Sequence, residues 1–412
     1  MNDQTKRILM ISGFIILVGA MGYGLYYFFF RTPPAPVVPV YTPQQGASGQ
    51  LPRAGGFNGS SSTAQGGAAG LPSVNGVPQN LQIPSNAPAE AVQTQLLNSQ
   101  VSAHLSLSPN GAVRGYNTFD GKFYKVGDDG QSVLMSNQAF PNVQDVRWGN
   151  VSDKAVMTFP DGSKILYDFT KQQQTTLPKH WDDFGFSPND SQVAAKIVGN
   201  NETNRFLTIA NPDGTNAKLI AELGDNQDKV HVSWSPNDQM VAYSFTGDAI
   251  GFNEQAIVMV GKHQENFKNL IVEGRGFIPN WSPSGNALLY SVWASDTNYL
   301  PTLWVSGANS SNINDGRRSF SINTWADKCV WQSEDTIVCA VPTELKTAAG
   351  LQRALQDGIP DSIIKMNINT GATVNLGQPQ GNPTVTNPVL SKDGTELYYG
   401  DPATGGLYKF KL

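Results

Sequence analysis

Cysteine is almost absent from this chain: Cys329 and Cys339 are the only two in 412 residues. Two thiols alone cannot complete a four-ligand zinc site, and a disulfide-dense scaffold is excluded. Charge is also sparse. Charged residues make up 15% of the chain, no long run carries one sign, and the formal net charge is −5. Such a chain lacks the basic face that nucleic-acid binding needs. Histidine is scarce, with four residues. No Gly-x-Ser-x-Gly elbow, phosphate-binding loop or EF-hand loop occurs. No catalytic residue, cofactor site or metal-ligand set is therefore read from a motif.

Turn formers are plentiful. There are 41 Gly and 26 Pro, and hydrophobic residues reach 39%. With frequent Thr, Val, Tyr and Phe, this composition points to β structure with a sizeable core.

One long apolar run stands at the start. "ILMISGFIILVGAMGYGLYYFFF" spans Ile8 to Phe30 without a charge. As a helix it would be about 35 Å long, enough to cross a hydrocarbon core of roughly 30 Å. Tyr23, Tyr26, Tyr27 and Phe28 to Phe30 would sit near one interface. A cleaved signal peptide is the alternative, but the run exceeds a signal core and no small-x-small site follows it closely. Lys6 and Arg7 before the run, against Arg31 alone after it, favour a cytoplasmic N-terminus. Residues 31–90 are Pro-rich, then Gly/Ser/Ala-rich. That composition cannot bury enough apolar area to offset chain entropy, so a disordered linker is expected. A docking segment is the other reading of it.

From residue 91 onward one phrase recurs. It reads "LSLSPNGAVRGYN" from Leu105, "VRWGNVSDKAVMTF" from Val146, "FGFSPNDSQVAAKI" from Phe184 and "VSWSPNDQMVAYSF" from Val232. It continues as "PNWSPSGNALLYSV" from Pro279, "CVWQSEDTIVCAV" from Cys329 and "PVLSKDGTELYYG" from Pro388. Equivalent positions, from Ser108 to Ser391, are spaced 38 to 59 residues apart. Each copy reads as a half-buried strand, a tight turn, a returning strand and two more short strands. Seven four-stranded copies at this period predict an all-β, seven-bladed propeller. The last copy ends at Leu412 after its third strand, while Ala91 to Asn98 resemble an orphan fourth strand. That segment is expected to complete the seventh blade and close the ring. The expected organisation is a tail at 1–7, a transmembrane helix at 8–30, a linker at 31–90 and a propeller at 91–412.

The "WSPNDxxxAY" and "WSPSGxxLLY" phrases resemble the WD40-like repeat of TolB-type β-propellers. Three copies match closely, those from Phe184, Val232 and Pro279; those at Leu105 and Pro388 match in part. The resemblance implies the propeller fold and no particular activity. The extra α/β domain that precedes the propeller in TolB is replaced here by the apolar run and linker.

Few residues invite a chemical reading. Cys329 and Cys339 face each other across one hairpin, so outside the cytoplasm they can bridge; one residue of register would leave two buried thiols instead. Trp148, Trp234, Trp281 and Trp331 hold equivalent places and read either as inter-blade packing or as a ligand-stacking ring. His104 and His231 each precede an equivalent Ser by four residues, and a metal site at the channel would need carboxylates that no motif supplies. The insertion "PTELKTAAGLQRALQDGIPDS" predicts a helix with Leu345, Ala348, Leu351 and Leu355 on one stripe. It either covers the propeller or binds a partner. The connections "TGDAIGFNEQA" and "ASDTNYLP" also follow second strands, so they are expected on the same face. The expected function is that of a non-enzymatic, membrane-tethered, extracytoplasmic protein-binding or scaffold module; the alternative is a lyase or hydrolase acting on extracellular polymer at the channel mouth. The sequence sets no oligomeric state.

Overall fold

Each Ser-Pro turn is held by its serine. In the third copy the Ser187 N–H donates to Gln192 O (2.9 Å), and the Ser187 hydroxyl accepts the Gln192 N–H (3.0 Å). Ser235, Ser282 and Ser391 accept the same bond from Met240, Ala287 and Glu396. The fourth turn residue takes a left-handed backbone, with φ of +57° at Asp190, +61° at Asp238 and +70° at Gly285. That conformation is why the position carries Asp or Gly.

The computed structural model describes residues 94–412 apart from Ala249, together with Val18, Gly19, Met21 and Tyr23, which are helical. The chain divides into two units, 1–83 and 84–412, and the propeller lies in the second. The expected anchor and linker otherwise fall outside the described residues. Among those described, no helix is long and apolar enough to cross a membrane.

Seven sheets of four antiparallel strands follow one another along the chain. The first six blades occupy 101–134, 145–177, 181–222, 230–272, 275–319 and 329–377. Within each, strand order follows chain order from the inner to the outer edge. The seventh is composite. Thr386–Leu390, Glu396–Asp401 and Gly406–Lys411 are joined at the outer edge by Thr94–Asn98. Thr94 pairs with Phe410 and Leu96 with Tyr408. The Asn98 carboxamide oxygen then accepts the Gln100 and Val101 N–H groups (2.8 and 2.9 Å), turning the chain into blade one.

The core is divided among the blade junctions. Seven clusters of buried side chains occur among the described residues, each shared by two neighbouring blades. The cluster at the closing seam joins Leu97, Tyr398 and Leu407 of blade seven to Val101, Leu105 and Val113 of blade one. Second strands show no alternation of buried and exposed residues. All five residues of Val113–Asn117 are buried, as are Leu288 to Val292. A strand covered on both faces by neighbouring blades has no solvent side.

Cys329 and Cys339 are direct register partners on the first two strands of blade six, and their sulfurs are bonded at 2.11 Å. The turns of blades two and six, which lack the serine, are each bonded to a neighbouring blade. Asp190 of blade three accepts the Asn150 and Val151 N–H groups and the Ser152 hydroxyl of blade two. Glu334 of blade six accepts the Ser284 N–H and hydroxyl of blade five, each at 2.6 Å.

Candidate interaction face

Strand direction sorts the connections into two faces. Inner strands run toward the repeat serines, so the first-to-second and third-to-fourth turns share one face. The second-to-third loops and the crossovers between blades share the other. The first face is the more regular, made of the repeated serine turns and of third-to-fourth connections that reach ten residues at 308–317. The second carries the three longest second-to-third connections, 245–254, 294–301 and 343–360.

Inner strands enter from the irregular face through β-bulges. Register shifts occur at Ala103/Ser106, Asp182/Gly185, Arg275/Ile278 and Thr386/Val389. His104, Asp183 and Asn387 sit in these bulges with φ of +52°, +51° and +47°. A bulge re-aims a side chain at the rim of a sheet. Asp183 uses this to accept the Val232 N–H of the next blade (2.9 Å), with the Lys196 ammonium 3.6 Å away.

His104 and His231 are not brought into any shared contact. The His104 ring lies 6.3 Å from that of Tyr116. His231 stacks on Tyr243 and meets Phe245 edge-on, each at 5.4 Å. Among the described residues, no group of three or more His, Cys, Asp or Glu is placed to hold a metal ion. Burial lowers both imidazoles below their ordinary value; Asp145 opposes this at His104 and Asp183 at His231. The unfolded chain therefore binds more protons than the folded one in weak acid. Stability is full above the unfolded value near 6.5 and falls as pH drops through that value toward the lower folded ones. The melting temperature is expected to fall as pH drops below about 6.5. A His104→Gln/His231→Gln variant should flatten that slope in a thermal scan; an unchanged slope would refute the assignment.

The four tryptophans are packing elements. The Trp148 indole N–H donates to His104 O of the preceding blade (2.7 Å), Trp331 to Asn280 O (3.3 Å), and Trp281 to the Ser233 hydroxyl (2.9 Å). Trp234 differs, donating to Asp238 of its own turn (2.7 Å). Arg114, fully buried, lies over Trp148 at 4.5 Å and bonds Ser152 O and Asp153 of blade two. The bonds of Trp148, Trp281, Trp331 and Arg114 bolt successive blades.

The insertion in blade six is not the expected α-helix. Pro342 ends the strand Thr336–Pro342, and the only helical turn is a 3-10 segment, Arg353–Gln356. The cause is competition for backbone donors. Ala348 N–H donates to Asn298 O (3.3 Å) and Gly350 N–H to Tyr299 O (2.8 Å), so neither is free for a carbonyl within the segment. Ala348 has φ of +66°. A Cβ at Gly350 would fall 2.6 Å from Trp293 Cβ and from Tyr299 O. Leu345, Leu351 and Leu355 consequently share no stripe: Leu345 and Leu355 are half-buried, whereas Leu351 is 50% exposed.

These bonds do join the three long loops. The Ser295 hydroxyl donates to the Asn253 carboxamide oxygen (3.3 Å), linking the first to the second. The second is linked to the third through Asn298 and Tyr299. Large apolar side chains stand on them: Phe252 is 86% exposed, Ile250 51% and Tyr299 38%. Sequence reasoning grouped the loops but missed these side chains. The available signal was an aromatic residue inside the Gly- and Asn-rich stretch "TGDAIGFNEQA".

No family model matches the sequence, and no curated protein matches it. Solved structures share the fold. An oligogalacturonate lyase in complex with manganese superposes with a TM-score of 0.54 at 11% identity, over 79% of this chain and 94% of the lyase chain. A chain of a mitotic checkpoint complex gives 0.53 at 11% identity, over 84% of this chain and 99% of that one. The β-propeller domain of Cps50 (Swd1) from Myceliophteria thermophila gives 0.51 at 10% identity, over 78% and 100%. Likeness at such identities establishes the propeller fold alone.

Proposed function

We propose that this protein is a membrane-tethered, extracytoplasmic β-propeller that acts as a protein-binding or scaffold module. The observation that carries the reading is the braced group of loops on one face, which holds Phe252, Ile250, Tyr299 and Leu351 toward solvent. Exposed apolar side chains gathered on loops that are bonded to one another are a mark of an interaction surface. Chain repeats of this kind place partner contacts on insertions at one face. The uncharged run from Ile8 to Phe30 supports the tether, and Lys6 and Arg7 support the orientation. The cross-strand cysteine pair fits an oxidising compartment. The Ser-Pro-Asn-Asp turns support a TolB-like repeat ancestry without assigning a role in the cell envelope.

Two measurements on the full chain in intact cells test this. External protease should degrade the propeller while a tag fused before Met1 survives, and the extracted chain should carry no free thiol. Photoreactive residues at Phe119 and Asp296, on the irregular face, should yield discrete protein adducts, while one at Val151 on the opposite face should not. A protected propeller with reactive thiols would contradict the topology. Equal labelling from both faces, or none from either, would contradict the binding role.

A further inference from the structure

Loops 245–254, 294–301 and 343–360 form one platform, and we infer that it seats a partner-protein segment combining aliphatic side chains with Lys or Arg. This rests on the protein-binding reading above and names the chemistry of its partner.

Charge selects the occupant. Asp248, Asp296, Glu344 and Asp357 are exposed on the same three loops as the apolar side chains, and none of them joins an ion pair among the described residues. Of the two cations on these loops, Arg353 is committed. Its guanidinium bonds Asp327 at 2.6 Å and lies over Trp325 at 4.9 Å. Lys346 remains. Exposed apolar side chains and unpaired carboxylates on one set of linked loops attract a basic, aliphatic segment and repel anionic lipid headgroups and nucleic acid. It also disfavours a second copy docked patch to patch, because that would oppose like charges. Rigidity adds to the argument. The cross-loop bonds at Gly350, Ala348 and Ser295 and the left-handed backbone at Asn298 and Tyr299 (φ +53° and +56°) fix the platform without a partner. A surface held in shape beforehand loses less entropy on binding.

The test uses the full chain in detergent and short synthetic peptides of alternating leucine with arginine, or leucine with glutamate. The arginine peptide should bind, more weakly as salt rises. Phe252→Ser/Leu351→Ser and Asp248→Asn/Asp296→Asn should each weaken it about tenfold or more, as loss of central or complementary contacts does. Val151→Ser on the opposite face should leave it unchanged. Gly350→Val, which removes no exposed side chain, should weaken it by pushing the braced loops apart. Equal binding by the Phe252/Leu351 variant, equal binding of the glutamate peptide, or binding of phosphatidylglycerol vesicles would overturn the inference. In cells, a photoreactive group at Phe252 should label a segment of that composition. Capture from Phe119 in blade one without capture from Phe252 would remove the platform and leave the binding reading standing. Capture from neither position would remove both.

Discussion

Lys328→Met is expected to destabilise the propeller by about 3–5 kcal/mol, the usual result of stranding one partner of a buried ion pair. The Lys328 ammonium contacts both Asp361 carboxylate oxygens, at 2.7 and 2.6 Å, and both residues are buried. Burial pulls the lysine below and pushes the aspartate above its ordinary value, each opposed by the other's charge. Removing the ammonium leaves the carboxylate with the Val385 N–H alone, at 2.8 Å. That bond also ties blade six to the crossover into blade seven. A Lys328→Met/Asp361→Leu double variant should recover part of the loss, because the stranded charge is gone. It should not recover all of it, since the Val385 N–H is then unpaired, at about 1–3 kcal/mol. Denaturant unfolding of the parent and the two variants checks this. A single variant as stable as the parent would show that the pair is not buried as described.

Deleting Thr94–Asn98 is expected to have the larger structural consequence. Leu97 fills the seam cluster, and burial of one leucine contributes about 2–3 kcal/mol. The ladder to Gly406–Lys411 and the Asn98 cap add several hydrogen bonds at about 1 kcal/mol each. The sum is on the order of 5 kcal/mol, and the strand Gly406–Lys411 becomes an open edge. Such a chain should unfold at lower denaturant and self-associate through that edge on size exclusion. Leu97→Asp in the full chain should reproduce the loss of stability. A monomeric deletion variant of parental stability would show that the ring does not depend on this strand.

How legible the fold was follows from what each copy of the repeat must do. Ser187, Ser235 and Ser282 are fixed by a hydroxyl that bonds the returning strand, and Asp190, Asp238 and Gly285 by a left-handed turn position. Those needs are local, so they show in sequence. The second copy's turn is bonded by Asp190 of blade three, while the sixth copy's turn closes on its own Asp335 and lends Glu334 to blade five, so only spacing betrays these two copies. The insertion after Pro342 had a helical pattern and no helix, because its donors are taken by Asn298 O and Tyr299 O, some fifty residues earlier. Lys328 and Asp361 lie 33 residues apart, and nothing local to either marks the pair. Aromatic exposure at Phe252 and Tyr299 likewise depends on which loops are braced together.

The closed ring is the claim on which the faces, the junctions and the platform all depend. Amide hydrogen exchange on the full chain reads it directly. Peptides covering Thr94–Asn98 should be protected together with those covering Gly406–Lys411, at the level of the outer strands of the other blades. Exchange of 94–98 at the rate of an unpaired chain, with 406–411 protected or not, would contradict closure by this strand.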